Sequence, residues 1–400
     1  MSDQKKLTIV VPTRNRDEYL KYSLQCIQTY EYKNLEVLVS NNSTLEHYSE
    51  TKDIIDNEIK RNLNYNIRYI APPKPLGMSD HFEFCLNHID SDYFVFQCDD
   101  DCLSPFCLEK SVKFAEANHL DSVCWSNWSY YHPDWNDDSL RKNTIQSGPK
   151  TEQGIKCSKM VLKQFFNEFW MSILYPRVLN GLTLTKLAKK IQKENGRFFH
   201  ITNPDAASAV NILISTKKFG ILGGINGLSG CAAKSGASNA VNYEKTQKFN
   251  QEYGNVDTLE FSPCKIPVTA SLWIDTMIRT AFANNFTVQM NEFSLYKFIY
   301  TNMQEMQNNG ADMSKWVKQW ENDAAAALGK KQANEIIRIV TNYGFFDKVK
   351  YYFKNPIAFK NRIINLGLGT KNISYNGYER CFSNLFEANK FMIDNNLYSR

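Results

Sequence analysis

The sequence predicts an α/β protein built on a doubly wound, mostly parallel sheet and followed by a helical C-terminal region. Short apolar runs alternate with helical patterns over residues 7–105, and such β-α-β-α alternation is typical of parallel sheets with right-handed crossovers. From about residue 268 onward the apolar spacing is helical and contains no further strand pattern. A chain of 400 residues is long enough for roughly two to three domains.

The first two strands are predicted at residues 7–12 and 35–40, which are mostly apolar. Asp17 caps the helix after the first strand. Residues 41–44, Asn-Asn-Ser-Thr, follow the second strand, and their side chains bond locally, which suits a loop before a helix. A third strand at residues 67–70 leads through a Pro-rich turn to another predicted helix.

The fourth strand, residues 93–96, has four large apolar or aromatic side chains and is predicted to be buried on both faces. Three consecutive acids follow it: Asp99, Asp100 and Asp101. Adjacent carboxylates repel each other, so such a triplet costs stability unless a cation or a donor-rich ligand neutralises it. Ligands of open α/β sheets bind beyond the carboxyl ends of the strands, and hard oxygen ligands there suit Mg2+ or Mn2+ on phosphate oxygens. A solvated acidic turn is the alternative.

Composition and charge exclude several classes of protein. No run approaches about 18 uninterrupted apolar residues, and the first residues lead into a strand pattern and not an apolar signal region. We therefore predict a cytoplasmic protein. Residues 328–400 hold 12 Lys or Arg against 5 Asp or Glu, although the whole chain has a net charge of +5. The basic character thus belongs to the tail, which argues against a nucleic-acid partner for the rest. The oligomeric state stays open.

The ten cysteines include no Cys-x-x-Cys pair. Most of them lie in apolar runs, so we interpret them as reduced core residues. Cys98, Cys102 and Cys107 lie close together, but their spacing is not one of the usual zinc spacings. We therefore do not favour a metal–thiolate site.

Motifs after the strands decide which nucleotide-binding class fits. The first strand is followed by neither a Gly-x-Gly-x-x-Gly fingerprint nor a Gly-x4-Gly-Lys-Ser/Thr loop. Over about residues 5–120 the chain instead resembles the family 2 glycosyltransferases of the GT-A fold. The motifs that carry this resemblance are, in chain order, residues 9–16, residues 37–44, Gly77-Met78-Ser79, and Asp99-Asp100-Asp101 with Leu103 and Pro105.

The resemblance implies a nucleotide-sugar site with a divalent ion. The turn at Pro12 and Thr13, with Arg14 beside it, and the loop at Asn41 would cradle the nucleotide. The acidic triplet would be the DXD motif that holds Mn2+ or Mg2+ on the donor diphosphate.

Two departures from the family pattern leave details open. Asn41 stands where many members have Asp; an amide can still donate and accept toward a pyrimidine edge, but the choice of base stays open. Cys98 stands where many members have the first Asp of the motif, so the register within the triplet is ambiguous. We predict Asp100 as the direct metal ligand and Asp99 near the ribose, with Asp101 as a second candidate ligand.

A second candidate site is Asp205, which Pro204 places in the first turn of a predicted helix. An acid in this position is also what the helix dipole favours for purely structural reasons. Gly196, Phe199, Pro204 and Asp205 reproduce the Gly-x-x-Phe…Pro-Asp context in which family 2 enzymes carry their catalytic base, so the resemblance implies Asp205 as the base. Nearby His200 is interpreted as a satisfied structural histidine.

Two further stretches each have two interpretations. Residues 223–238 are rich in Gly and Ser and carry one cation, Lys234, which would belong either to a lid over the donor diphosphate or to a flexible connection. Residues 125–135 are rich in Trp and Tyr; we interpret these rings as core, with stacking on sugar faces as the alternative.

We expect a nucleotide-sugar-binding half at residues 1–130, an acceptor-binding half at residues 131–245 and a helical region at residues 265–400. The helices of this region are predicted at residues 268–284, 291–308, 314–328, 331–342 and 345–364. Residues 346–363 set five cations against one acid among aromatic and aliphatic side chains. Such a tail is able to bind an anionic membrane surface, and packing on the catalytic domain is the alternative.

These expectations combine into a metal-dependent, inverting glycosyltransferase of the hexosyltransferase type. By the resemblance, it would move a sugar from a UDP-linked donor to a hydroxyl of a glycan or polyprenyl-diphosphate-linked acceptor in surface-polysaccharide synthesis, at the inner face of the cell membrane. Asp205 would accept the proton of that hydroxyl, and a retaining route stays open. The alternatives are a non-catalytic carbohydrate-binding or scaffold protein and a sugar nucleotidyltransferase, the latter disfavoured because no Gly-rich loop follows the first strand.

Overall fold

The computed structural model describes residues 4–61, 65–135, 142–148, 151–169, 174–235, 242–252, 259–341 and 382–399. The chain begins with the predicted alternation of strands and helices. These first elements are β1 (Leu7–Thr13), α1 (Asp17–Ile27), β2 (Leu35–Asn41), α2 (Leu45–Arg61), β3 (Asn66–Ile70), α3 (Met78–Asn87) and β4 (Tyr93–Phe96).

Four parallel strands form one half of a large sheet, in the order β3-β2-β1-β4. Every residue of β1 is buried, because alternate side chains enter two different cores. Leu7 and Ile9 pack with Leu20 of α1 on one face, and Val10 packs with Phe82 of α3 on the other. Helices on both faces of a parallel sheet confirm the doubly wound arrangement.

The middle of the chain extends this sheet and adds a smaller one. Its elements are β5 (Cys102–Leu103), α4 (Cys107–Asn118), β6 (Ser122–Cys124), β7 (Trp128–Tyr131), β8 (Thr144–Gln146), β9 (Gly154–Cys157), α5 (Ser158–Glu168), β10 (Gly181–Leu184), α6 (Thr185–Asn195), α7 (Pro204–Ser215), β11 (Lys218–Ile221), β12 (Gly227–Cys231) and α8 (Tyr243–Glu252). β10 pairs antiparallel with β4, and the sheet continues through β6, β11 and β9 to eight strands. The second sheet has the order β5-β12-β7-β8, and its strand β5 begins directly after the acidic triplet.

The C-terminal region is helical. It contains α9 (Thr269–Ala283), α10 (Glu292–Asn308), α11 (Ser314–Leu328), α12 (Lys330–Thr341) and α13 (Leu385–Asp394). The bounds of α9 to α12 confirm four predicted helices, whereas the helix predicted at residues 345–364 lies outside the described residues. α9 to α12 share one hydrophobic core with α5 and α7. This region therefore packs directly on the helix that carries Asp205. The expected domain ranges stay predictions.

α13 returns to the N-terminal half of the chain. Leu385, Met392 and Tyr398 are buried in the same core as Tyr130 and Cys102, under the second sheet. The last described residues therefore help to support the strand that follows the acidic triplet.

Two further expectations concern membrane spans and cysteines. Among the described residues, no helix is both long and apolar enough to cross a membrane. The described cysteines are all free, and most are buried, which confirms their interpretation as reduced core residues.

Candidate functional site

The acidic triplet lies at the carboxyl edge of the large sheet, directly after β4. Its side chains are almost fully buried: Asp99 is 1% exposed, Asp100 4% and Asp101 8%. β1 is the parallel neighbour of β4, so the residues that follow β1 reach the same edge. The structure thereby brings the loop after the first strand to the acids.

Arg16 bridges two of the acids. Its Nη1 lies 2.6 Å from Oδ1 of Asp99, and its Nη2 lies 2.5 Å from Oδ2 of Asp100. Thr13 donates from Oγ1 to the other oxygen of Asp99 at 2.7 Å. Burial alone would lower the pKa of Arg16, but the charges of Asp100 and Asp99 outweigh it and raise that pKa. Burial raises the pKa of Asp99, and the Arg16 charge opposes this shift.

Asp101 faces the second sheet. Its Oδ1 accepts a hydrogen bond from the backbone N–H of Gly230 in β12 at 2.8 Å. Burial, followed by the charge of Asp100, raises the pKa of Asp101. A Cβ on residue 230 would lie 2.0 Å from the carbonyl oxygen of Asp100, so only glycine allows this close approach. Sequence reasoning missed Gly230, although it lies in the Gly-rich stretch that was singled out.

The residues at this edge fit a divalent ion. One ligand atom each from Cys98, Asp100 and Asp101 lie within 4.8 Å of one another. The two predicted ligands, Asp100 and Asp101, therefore come together, and a thiol stands beside them. Asp99 is engaged by Thr13 and Arg16. Two hard carboxylates are a donor set that Mg2+ and Mn2+ accept.

A buried polar network holds the backbone of the acidic triplet in place. The carbonyl oxygen of Asp101 accepts from Ser23 Oγ at 2.8 Å and from Gln97 Nε2 at 3.2 Å. Tyr30 in turn donates to Gln97 Oε1 at 2.8 Å. Every member of such a network constrains the others, so the carboxylates are presented on a rigid support.

The loops after β1 and β2 are tied to each other. Asn15 donates from its backbone N–H to Ser43 Oγ at 3.0 Å and accepts from the N–H of Thr44 at 2.9 Å. Asn41 is buried, and its amide is used within the loop: Oδ1 accepts from Ser43 N–H at 3.0 Å and Nδ2 donates to Tyr48 O at 3.2 Å. Both groups of the Asn41 amide are therefore engaged within the loop. The predicted contact with the nucleotide base would be made by the loop whose shape this amide fixes.

Pro12 and Arg14 support the same edge in different ways. Pro12 lies inside β1, opposite Ser40, so the strand runs one residue further than predicted, to Thr13. Arg14 donates to the carbonyl oxygen of Leu76 at 2.7 Å. This contact holds the Pro-rich turn before α3 against the end of β1.

Lys234 follows β12 and reaches back to the first turn of α1. Its Nζ lies 2.7 Å from Glu18 Oε1 and donates to the carbonyl oxygen of Asn15 at 3.3 Å. Next to it, Asp134 accepts from the N–H of Ala233 at 3.3 Å. These contacts tie the loop after β12 to the loop after β1, beside Arg16.

Asp205 lies in the first turn of α7, as predicted. Asn203 caps this helix by accepting from the N–H of Ala206. Arg177 Nη1 donates to Asp205 Oδ2 at 3.4 Å, whereas Oδ1 is buried and has no partner among the described residues. Burial raises the pKa of Asp205, and the charge of Arg177 opposes this shift. Arg177 thus orients one oxygen of this carboxylate, and the other is buried without a hydrogen-bond partner among the described residues.

Residues 175–180 connect Asp205 to the triplet. Arg177 donates from Nε to the carbonyl oxygen of Leu179 at 3.1 Å, and Leu179 pairs with Phe96 at the end of β4. Asn180 Nδ2 donates to Ser229 Oγ at 3.4 Å, next to Gly230. One short segment therefore contacts the elements that carry both acidic sites. Sequence reasoning did not find Arg177, because no motif marks it.

Two sequence interpretations of aromatic residues receive different outcomes. Trp125, Trp128, Tyr130 and Tyr131 are buried, which confirms them as core, whereas Trp135 is only partly buried. His200 is also buried, but its Nε2 has no partner among the described residues. The interpretation of His200 as satisfied is therefore wrong for this ring nitrogen. Burial, followed by the charges of Arg197 and Arg279, lowers its pKa to about 4, so the ring is neutral.

Comparisons with known proteins place the first part of the chain in a family. A family model described as Glycosyl transferase family 2 matches residues 8–171. This range contains the loops after β1 and β2 and the acidic triplet, and it ends before Arg177 and Asp205. No curated protein matches the chain.

The chain is also similar to solved structures at low identity. Residues 1–349 of TarS from S. aureus in complex with UDP-GlcNAc are 13% identical, with 84% of this chain and 91% of that chain covered and a TM-score of 0.47. The mannosyltransferase PcManGT from Pyrobaculum calidifontis in complex with GDP-Man and Mn2+ is 11% identical, with 87% and 89% covered and a TM-score of 0.43.

The family match confirms the resemblance that the motifs indicated. It rests on residues that the structure gathers at one edge of the sheet. Residues 8–171 match the model of glycosyl transferase family 2, and this match identifies the chain as a glycosyltransferase.

Proposed function

We propose that the chain is a metal-dependent, inverting glycosyltransferase that uses a nucleotide diphosphate sugar, UDP-linked, as donor. One observation carries the proposal. The segment at residues 175–180 connects the buried acids Asp100 and Asp101 to Asp205, which has a carboxylate oxygen without a hydrogen-bond partner among the described residues. A transferase of this kind needs an ion site for the diphosphate and a base for the acceptor within reach of each other.

Asp100 and Asp101 are the residues that would hold Mn2+ or Mg2+, with Cys98 within reach of the same position. When bound, such an ion supplies positive charge for the leaving diphosphate. Thr13 and Arg16 contact the two oxygens of Asp99 and orient this side chain at the same edge. Pro12, Arg14 and Asn41 shape the two loops that would receive the nucleotide, and Lys234 is the cation of the loop beside them.

Asp205 is the proposed base. Its Oδ1 has no hydrogen-bond partner among the described residues, and this oxygen would accept the proton of the acceptor hydroxyl. Arg177 holds Oδ2 and favours the ionised carboxylate that this step requires. Direct attack by the activated hydroxyl needs no covalent intermediate and inverts the anomeric carbon.

We further propose that the acceptor is a glycan or a polyprenyl-diphosphate-linked glycan of surface-polysaccharide synthesis, at the cytoplasmic face of the membrane. The basic segment at residues 346–363, which would contact the membrane, lies outside the described residues. Its charge pattern alone supports this part of the proposal.

Donor hydrolysis tests the proposed function without knowledge of the acceptor. The protein is incubated with a panel of UDP- and GDP-sugars, with Mn2+ or with chelator, and nucleoside diphosphate release is measured. We expect slow, Mn2+-dependent release of UDP from at least one donor. A carbohydrate-binding protein would release none, and a nucleotidyltransferase would consume nucleoside triphosphate with sugar phosphate; either result would reject the proposal.

A further inference from the structure

Arg16 occupies carboxylate oxygens that a donor-bound ion would need. One guanidinium spans two acids, with 2.6 Å to Asp99 Oδ1 and 2.5 Å to Asp100 Oδ2. Its side chain is only 16% exposed. The contact with Asp100 is a charge-assisted hydrogen bond, which is strong in a buried place, and the contact with Asp99 is an ion pair. Arg16 therefore acts as the counter-cation of Asp99 and Asp100 when no ion is bound.

Two further oxygens of the triplet accept hydrogen bonds from groups that carry no charge. Asp99 Oδ2 accepts from Thr13, and Asp101 Oδ1 accepts from the N–H of Gly230. Within the part of the chain that the structure describes, Arg16 is the only Lys or Arg in an ion pair with these acids. Its position thus decides how much negative charge remains for an incoming ion.

A divalent ion cannot bind Asp100 while the guanidinium of Arg16 stays in its present position, for electrostatic reasons. Both carry positive charge, and at contact distance in a buried site their repulsion is large. Binding of the ion therefore requires Arg16 to release Asp100. Release is unfavourable unless the guanidinium finds another anion.

The surroundings of Arg16 allow it to accept that other anion. Its Nε is buried and has no partner among the described residues, so one donor of the guanidinium is unused. The Tyr19 ring lies 5.1 Å from the guanidinium carbon and supports the cation without fixing its direction. A planar guanidinium with a spare donor matches the geometry of a diphosphate.

We propose that Arg16 is a cation gate. It neutralises Asp99 and Asp100 in the donor-free site, and it transfers from Asp100 to the diphosphate when the divalent ion arrives. This inference rests on the proposed function. It predicts that the divalent ion alone binds weakly and that the ion and the nucleotide diphosphate bind together. An Arg16 that served only to hold the acids in place would instead be needed for ion binding.

Measurement of Mn2+ binding without turnover separates these two roles. Free Mn2+ is counted by its electron paramagnetic resonance signal as the protein is titrated, with and without UDP. The variants are Arg16→Gln and Arg16→Lys. The control is Arg61→Gln, which removes an exposed cation that pairs with Glu58. Unfolding temperatures with and without Mn2+ report whether each variant is folded.

Without UDP, we expect Arg16→Gln to bind Mn2+ about tenfold or more tightly than the wild type, because the competing cation is gone. UDP should strengthen Mn2+ binding more in the wild type than in Arg16→Gln, because only the wild type has to release Arg16 from Asp100, whereas the diphosphate binds the ion in both. Arg16→Lys cannot bridge two carboxylates, so its affinity should lie between the two. Mn2+ should raise the unfolding temperature of Arg16→Gln more than that of the wild type, and Arg61→Gln should behave as wild type.

Two results would overturn the gate. One is a Mn2+ affinity of Arg16→Gln that equals or falls below that of the wild type. The other, which applies even where Arg16→Gln does not fold, is a Mn2+ affinity of Arg16→Lys no higher than wild type. If the wild type binds Mn2+ and UDP together in either case, only the gate fails. A wild type that binds neither would overturn the proposed function as well.

Discussion

The backbone N–H of Gly230 donates to Oδ1 of Asp101 at 2.8 Å, across 129 residues of sequence. Strand β12 can approach this closely only because residue 230 has no side chain, since a Cβ would lie 2.0 Å from the carbonyl oxygen of Asp100. The smaller sheet therefore fixes the geometry of the acids that the large sheet presents.

Gly230→Ala should lower the free energy of unfolding by about 1–3 kcal/mol, because the added methyl group displaces the Asp100 backbone. Urea denaturation measures the loss, and Mn2+-dependent UDP binding should weaken in parallel. Gly154→Ala is the matched control, since a Cβ there meets nothing within 4 Å. Equal stability of the two variants would show that β12 does not approach the Asp100 backbone this closely.

Asp205→Asn should reduce turnover by about a hundredfold or more, because the amide keeps the shape of the carboxylate but cannot accept a proton. Donor affinity should be retained, and both quantities follow from steady-state kinetics and titration. Asp80→Asn is the control, because Asp80 is also a first-turn acid with an arginine partner, Arg197. A parallel loss of donor affinity and turnover would mark Asp205 as structural.

Arg177→Gln should move the acidic limb of the kcat/KM profile to higher pH. Burial raises the pKa of Asp205, and Arg177, the described cation that pairs with it, opposes this shift. Loss of that cation raises the pKa further, so the carboxylate is protonated, and inactive as a base, at a higher pH. Tyr175 also faces this pair, through Arg177. An Arg177→Gln profile that coincides with the wild-type profile would contradict the role of Arg177.

The basic tail needs a test that leaves α13 in place. Truncation before residue 346 would also remove Leu385 and Met392, which are fully buried, and would destabilise the core. We therefore neutralise Lys348, Lys350, Lys354, Lys360 and Arg362 with Gln. The wild type should co-sediment with anionic vesicles at low salt, since each cation contributes about 1 kcal/mol, and the variant should not.

Neutralisation of the exposed lysines of α6, Lys186, Lys190 and Lys193, is the control for the tail and should leave vesicle binding unchanged. Binding that survives loss of the tail cations would assign the membrane contact to another surface. A wild type that never co-sediments, at any salt concentration, would leave no membrane role for residues 346–363.

Elements with strong local periodicity were predictable from the sequence. β1, β2 and β4 follow from runs that are buried on both faces, β3 from a shorter, partly buried run, and α9 to α12 from helical spacing. The acidic triplet was found because three acids after a buried strand are locally unusual. Asp205 was found because Pro204 and the resemblance mark it.

The features that were missed depend on contacts between distant parts of the chain. Arg16 was visible as a residue of the first motif, but its pairing with Asp99 and Asp100 requires the register of β1 against β4. Arg177 and Gly230 act on acids through contacts that leave no periodic pattern. The return of α13 to the second sheet likewise has no local signal, because its apolar face fits any core.

Titration calorimetry of UDP tests the central claim most directly. UDP is titrated into the wild type and into Asp100→Asn, each with Mn2+ and with chelator. The account predicts that Mn2+ strengthens UDP binding by the wild type and that Asp100→Asn loses this gain while its unfolding temperature shows that it stays folded. Equal UDP affinity of the wild type with and without Mn2+, or an undiminished gain in Asp100→Asn, would contradict it.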